Sequence, residues 1–293
     1  MSAFRAWLIA IRPKTLPAAI SPVLLGWSIA IRARGFLLGP ALAALLGALL
    51  LQIAANLAND VCDYEKGTDK PDRLGPIRVV SAGLLSARQV YLGLGVAMLL
   101  ALCAGSYLVS IAGPAIGVLG LFAAASAVGY TAGPFPIAYQ GLGDLFVFLF
   151  FGPVAVAGTA FVQLGTIPST AWFAGISQGA LATNILVVNN LRDLHQDERA
   201  GKRTLAVRFG EFFCVAQYAT LLLVAFSMPA YLWITGDLEW PALVSFLALP
   251  PATSTFLQVR RVRGRGLNTQ LARTAGVMMA FGLLFSLGIA VKL

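Results

Sequence analysis

Leu37-Leu-Gly-Pro-Ala-Leu-Ala-Ala-Leu-Leu-Gly-Ala-Leu-Leu-Leu-Gln-Ile-Ala-Ala-Asn56-Leu-Ala-Asn59-Asp60-Val-Cys-Asp63 is the stretch that decides the architecture. No side chain between residues 35 and 59 is charged, and the run then meets a cluster of acids. A helix needs about 20 apolar residues to cross a ~30 Å hydrocarbon core, so this segment reads as a membrane span with carboxylates at its end.

Working outward, the same reading repeats. The charge-free runs are 16–31, 35–59, 89–143, 145–191, 212–236, 240–259 and 274–291. The 89–143 run breaks at Gly113-Pro114 and the 145–191 run near Gly165–Pro168, so each holds two spans and the total is nine. The runs are continuously apolar rather than alternating, which disfavours a β-barrel. The first run begins after Arg12-Pro13-Lys14 with no small-residue cleavage site at its end, and reads as a retained helix. The 293-residue chain is 58% hydrophobic and 11% charged, with a mean hydropathy of +0.81. A soluble domain carries about 25% charge, so a soluble α/β enzyme is excluded. Disorder is excluded by the apolar excess, and a disulfide scaffold by only three cysteines. The expected fold is an all-α integral membrane protein, nine helices in a single bundle around a central cavity.

Lys and Arg set the orientation. With the N-terminus in the cytoplasm, eighteen of the twenty-one lie inside and only Arg32, Arg34 and Lys292 outside. Ten of the twelve acids lie inside too, the exceptions being Asp237 and Glu239. The net charge of +9 is therefore topology rather than a nucleic-acid signal, with anionic-lipid contact open to the Arg260–Arg265 cluster.

Two acidic constellations stand at the inner helix ends. Asn56, Asp60 and Asp63 are spaced i, i+4, i+7, and Asn189, Asp193 and Asp197 are spaced i, i+4, i+8; each set shares one helix face. Carboxylates aimed at one cavity repel and take up protons unless a cation neutralises them. Oxygen-only ligands suit Mg²⁺ or Ca²⁺, and the chain has no His/Cys set with zinc spacing. The adjoining loops supply Arg78 and Lys202-Arg203. Carboxylates, a divalent ion and bases together make a phosphate site. Gly201-Lys202 is not a P-loop, because Gln196 and Arg203 stand at the required glycine and hydroxyl positions. A diphosphate on a lipid tail fits both the pocket and the bilayer. His195 reads as a solvated loop residue and Cys62 as packing; the Gly113/Gly117 and Gly175/Gly179 pairs read as close helix contacts.

Asn59-Asp60-x-x-Asp63 paired with Asp193-x-x-x-Asp197 in a nine-helix chain resembles the UbiA-type intramembrane aromatic prenyltransferases. The resemblance covers essentially the whole chain, read as a single domain of residues 1–293, with the motif loops of about 60–88 and 192–211 forming a cytoplasmic cap. It implies Mg²⁺ bound through the paired motifs, a polyprenyl diphosphate donor and a site facing the cytoplasm from the inner membrane. Arg12-Pro-Lys-Thr-Leu-Pro-Ala-Ala19, Asp60-Val-Cys-Asp-Tyr-Glu-Lys-Gly-Thr-Asp69 and Gly133-Pro-Phe-Pro-Ile-Ala-Tyr-Gln-Gly-Leu-Gly-Asp144 resemble members that prenylate 1,4-dihydroxy-2-naphthoate. Hydroxybenzoate-type members commonly place a third Asp where Gly67 stands here; the next acid is Asp69, a metal ligand or a loop contact. The resemblance implies metal ligands among Asn56, Asp60, Asp63, Asn189, Asp193 and Asp197. Lys14, Arg78, Lys202 and Arg203 would close on the diphosphate. Tyr130, with Tyr139 second, would face the allylic cation. Asp144 would orient Lys14 or the acceptor hydroxyl, or act as an N-terminal helix charge. The competing acceptors are 4-hydroxybenzoate, homogentisate and haem; the competing class is a transporter. Oligomeric state and prenyl chain length are not legible in the sequence.

Overall fold

A computed structural model describes residues 2–67, 74–133 and 136–293. Asp69 lies outside these residues, as do Lys70, Asp72 and Arg73. The described elements are helical. Helix α1 (Ala3–Ile11) and helix α2 (Pro17–Arg32) are joined by a 3₁₀ turn, Pro13–Thr15, and bent by 50°. Pro13 and Pro17 lack the N–H that a continuous helix would use, and Arg12 sits in the left-handed region at φ 55°. Helix α3 (Leu38–Glu65) carries the first acidic motif inside its last turns.

The long apolar runs break where expected. Helix α4 (Ala87–Ala112) opens with a capping box between Ser86 and Gln89. Gly113, at φ 84°, turns the chain into α5 (Pro114–Gly129). Gly113 therefore serves this turn, and not the helix contact expected of a Gly113/Gly117 pair. Helices α6 (Gly143–Phe150) and α7 (Pro153–Leu164) replace one expected span. The break at Gly152 lets the backbone approach helix α8 (Ser169–Arg199). A Cβ on Gly175 would lie 2.6 Å from the Pro153 Cα, so this glycine pair does make the close contact expected. Helix α9 (Leu205–Ile234) is interrupted at Gly210, φ 79°; a 3₁₀ stretch, Trp240–Ala248, leads into α10 (Leu249–Arg261), and α11 (Leu267–Ala290) closes the bundle.

Seven of these helical segments are long and apolar enough to cross a membrane, and the bent α1–α2 pair makes an eighth. Helix α5, at 16 residues, falls short of that length.

Helix α8 is the axis. Nearly three-quarters of its apolar stretch is buried, against about a sixth for α4. Its Leu181 and Val187 pack in one cluster with Tyr218 and Phe226 of α9 and Met278 and Phe281 of α11. Within lipid, apolar burial does not hold helices together; close packing and interhelical hydrogen bonds do, the latter at about 0.6 kcal/mol each. Ser177 donates to the Ala225 carbonyl at 2.8 Å, and Asn184 to that of Tyr218 at 3.2 Å. The outward faces expose Leu92, Leu99, Leu121, Phe122, Leu223 and Ile234, a surface suited to acyl chains rather than water. At one end of the bundle Arg32 pairs with Glu239 at 2.7 Å and donates to the Val291 carbonyl at 3.0 Å. The other end carries the motifs.

Candidate active site

A cavity of about 810 Å³ opens at the motif-bearing end. The turn after α1, the last turns of α3 and α8, the 75–78 segment, residues 130–131 and 138–143 and the start of α11 wall it. Arg12, Lys14, Arg78, Arg192 and Lys202 line it beside Asp63, Asp144, Asp193 and Asp197, a polar mouth on an apolar bundle.

The second motif keeps its expected face. Asn189, Asp193 and Asp197 all line the cavity from α8. Arg192 fixes this face. Its guanidinium donates to both Asp193 oxygens at 2.7 and 2.6 Å, to Asn189 Oδ1 at 2.8 Å and to Asn268 Oδ1 at 2.8 Å. Such a fork holds a carboxylate in one orientation. Asn268 passes the restraint on, donating to the Leu74 carbonyl at 2.9 Å.

The first motif is rotated from its expected face. Asp63 lines the cavity together with Asn59; Asn56 and Asp60 do not. They are 4% and 1% exposed, and both are bonded to the chain behind α3. Asp63 is the junction of the site. Arg78 Nη2 donates to its Oδ2 at 2.6 Å, Tyr139 Oη donates to its Oδ1 at 3.4 Å, and Lys202 Nζ lies 3.9 Å from Oδ1. Lys202 also lies 3.7 Å from Asp197 Oδ1, so one ammonium bridges the acids of the two motifs.

Tyr139 gathers the surrounding cations. Lys66 Nζ stands 4.8 Å and Lys202 Nζ 4.9 Å from its ring centroid, within cation–π range. Its carbonyl accepts the Arg203 backbone N–H at 3.0 Å, which docks the turn after α8 onto the 137–141 segment. Arg203 itself is not on the cavity wall. Lys14 is on the wall and exposed, with no hydrogen bond or ion pair among the described residues. Tyr130 and Asp144 both line the cavity, and Gln217 donates to Asp144 Oδ1 at 2.9 Å. Burial first, and Asp144 second, raise the Tyr130 phenol above its ordinary range, so it stays protonated. His195 is exposed and off the wall, and Cys62 packs against Ala6, Ala10 and Val61, as expected of both.

The sequence assigns no site role to Lys66, Arg192 and Asn268, and holds Asn59 and Arg12 only as members of the motif and the stretch that carry the family resemblance. Asn59 precedes Asp63 by four residues and Arg192 adjoins Asp193, so the signal was present for both.

Among the described residues no three His, Cys, Asp or Glu side chains are grouped closely enough to hold a metal ion by themselves. The donor chemistry nonetheless suits Mg²⁺, which is typically held by one or two carboxylates with water and substrate phosphates completing its shell. Asp63 and Asp197 already share a cation, and the oxygens around them are hard donors.

Helices α3 and α8 thus face carboxylates across one cavity at the polar end of an apolar helical bundle, the arrangement of a membrane-embedded site for a charged ligand. The sequence pattern of the UbiA prenyltransferase family matches residues 19–289, and the chain belongs to that family. It is 34% identical to the 1,4-dihydroxy-2-naphthoate octaprenyltransferase of Haemophilus influenzae, over 98% of this chain and 96% of that one. It is 37% identical to the protein of the same name from Mycobacterium tuberculosis, over 95% and 94%. The fold matches that of a UbiA homolog from Archaeoglobus fulgidus bound to GPP and Mg²⁺, at a TM-score of 0.67 and 16% identity, covering 96% of this chain and 99% of that one.

Proposed function

We propose that the protein transfers a polyprenyl group from its diphosphate to 1,4-dihydroxy-2-naphthoate, with loss of CO₂, to give demethylmenaquinol for menaquinone synthesis. The observation that carries this reading is the bridge from Asp63 to Asp197 through Lys202, set in a cavity whose wall also holds Lys14 and Arg78. The identity to two 1,4-dihydroxy-2-naphthoate octaprenyltransferases supports the acceptor.

Asp63, Asp193 and Asp197, with Asn59 and Asn189 beside them, would hold Mg²⁺, which supplies positive charge to the diphosphate oxygens as the allylic C–O bond breaks. Lys14, Arg78 and Lys202 neutralise the charge that develops on the leaving diphosphate. Tyr130 and Tyr139 offer π-faces to the allylic cation while the apolar bundle keeps water from it. The electron-rich ring attacks through its carboxyl-bearing carbon. The new C–C bond forms, the carboxylate leaves as CO₂ and the diphosphate departs with its electron pair. Asp144, fixed by Gln217, orients the acceptor hydroxyl or Lys14.

The site belongs to one domain spanning residues 1–293, with nine crossings, a cytoplasmic N-terminus and the cavity mouth toward the cytoplasm of the inner membrane. Helix α5 makes the ninth crossing: it starts at the turn ending α4 and delivers Tyr130 to the cavity. Its 16 residues span about 24 Å, which local thinning of the bilayer can match.

The test is prenyl transfer in membranes from a labelled polyprenyl diphosphate, with and without Mg²⁺, to dihydroxynaphthoate, 4-hydroxybenzoate, homogentisate and haem. Product with dihydroxynaphthoate that disappears on chelation is expected. Product with a benzoate alone would overturn the acceptor, and metal-independent turnover the site chemistry.

A further inference from the structure

The end of α3 carries two polar stripes, not one. Asn59 and Asp63 face the cavity. Asn56 and Asp60, also four residues apart, face the chain behind it. Asn56 donates to the Ile11 carbonyl at 2.8 Å and to Thr15 Oγ1 at 2.9 Å, bracing the turn that presents Lys14. Asp60 takes the backbone N–H of Val79 on Oδ2 and that of Val80 on Oδ1, each at 3.1 Å. Arg12 Nη2 stands 4.0 Å from its Oδ2.

We propose that Asp60 is a positioning residue for prenyl transfer, holding the 78–80 backbone so that Arg78 meets the diphosphate, and that it is not a metal ligand. Both of its oxygens are committed to consecutive N–H groups, and the carboxylate is sealed from the cavity at 1% exposure. Charge-assisted bonds of this kind are about twice as strong as neutral ones. The segment they grip is a tight turn, in which Ala82 N–H donates to the Arg78 carbonyl at 3.0 Å and Leu84 N–H to that of Val79 at 2.9 Å. Arg78 immediately precedes the gripped pair, and its guanidinium reaches Asp63 across the cavity wall. Releasing Val79 and Val80 therefore loosens the backbone that aims Arg78, the hydrogen-bond partner of Asp63, while the Asp63 side chain on α3 and the α8 stripe keep their places. The sequence motif combines two jobs three residues apart on one helix: Asp63 meets the ligand and Asp60 meets the loop.

This inference rests on the reading of Asp63 as a metal-holding residue and Arg78 as a diphosphate contact, and the experiment separates the two. Mn²⁺ binding is followed by electron paramagnetic resonance on the purified full-length protein without donor substrate, for wild type, Asp60→Asn and Asp63→Asn. Steady-state kinetics are measured for these and for Arg78→Gln and the Asp60→Asn/Arg78→Gln pair. Asp60→Asn keeps the shape of the carboxylate but turns an amide N–H toward one backbone donor. It is expected to leave the Mn²⁺ Kd within about twofold of wild type and to raise KM for the prenyl diphosphate about tenfold. Asp63→Asn should weaken Mn²⁺ by more than about tenfold. The double variant should have the KM of Arg78→Gln alone, since Asp60 acts through Arg78. Weakening of Mn²⁺ by Asp60→Asn to the extent of Asp63→Asn would overturn the proposal, as would independent, multiplying KM effects in the pair. If neither variant moves Mn²⁺ binding, the metal-site reading fails, and the kinetic pair alone decides the role of Asp60.

Discussion

Lys202 is the residue on which the site turns. Its ammonium lies between Asp63 and Asp197 and over Tyr139, so it balances two carboxylates from different helices. Partly enclosed acids with no counter-charge repel and bind protons. Lys202→Met is expected to lower the melting temperature in metal-free buffer and to enlarge the stabilisation gained on adding Mg²⁺, since the ion then supplies the missing charge. Its kcat/KM should fall at least about a hundredfold, because a base that neutralises the leaving diphosphate is lost. Thermal unfolding with and without Mg²⁺, alongside turnover, reads both effects. An unchanged response to Mg²⁺ would show that Lys202 does not stand between metal-holding acids. At this scale Asp193 and Asp197 were legible from spacing alone. Asn59 was legible as the Asn of the Asn-Asp-x-x-Asp motif, but not as a cavity residue, because Asn56 lies at an equally plausible spacing from Asp63.

Among elements, α8 and its contact with the α6–α7 break do most to place the site. Helix α8 carries one acidic stripe, and its position relative to α3 fixes how far Asp197 lies from Asp63. Its close approach at Gly152 depends on Gly175 and Gly179. A methyl at Gly175 would meet backbone, the Pro153 Cα at 2.6 Å, and not a flexible side chain that could swing away. Gly175→Ala should therefore destabilise the protein by about 1–3 kcal/mol, the range for overpacking. It should also reduce activity by shifting α8, although the residue lies several turns from the cavity. A melting temperature within a degree of wild type would refute this close contact. The sequence located the proline and glycine breaks at Gly113 and Gly165–Pro168, because those residues disrupt helices locally. The α6–α7 break carries the same local signal, Gly152-Pro153, but the sequence does not show that Gly152 also packs against Gly175 and Gly179 of α8.

For the whole molecule, charge and cavity agree. The basic end is the end at which the cavity opens, and the sparse opposite end is closed by the Arg32–Glu239 pair and the Val291 carbonyl. The proposed nine crossings would put the termini on opposite sides. Single cysteines replacing Ser2 and Leu293, in a chain whose own Cys62, Cys103 and Cys214 are changed to serine, should react with an impermeant thiol reagent from opposite faces of oriented vesicles. Labelling of both from one face would mean an even number of crossings and would remove α5 or the bent α1–α2 pair as a span.

Hydrophobicity is additive along the chain, so the sequence by itself determined the apolar helices, the charged end and the two segments that bring acids to it. The facing of α3 was decided only by tertiary structure. At about 100° per residue, Asn56, Asp60 and Asp63 fit one face as well as Asn59, Asp63 and Lys66 do, and Asp63 belongs to both. Spacing fixes the angle between side chains on a helix but not what lies opposite them. Packing against the 78–80 backbone claimed Asp60, and the cavity was left to Asn59 and Asp63.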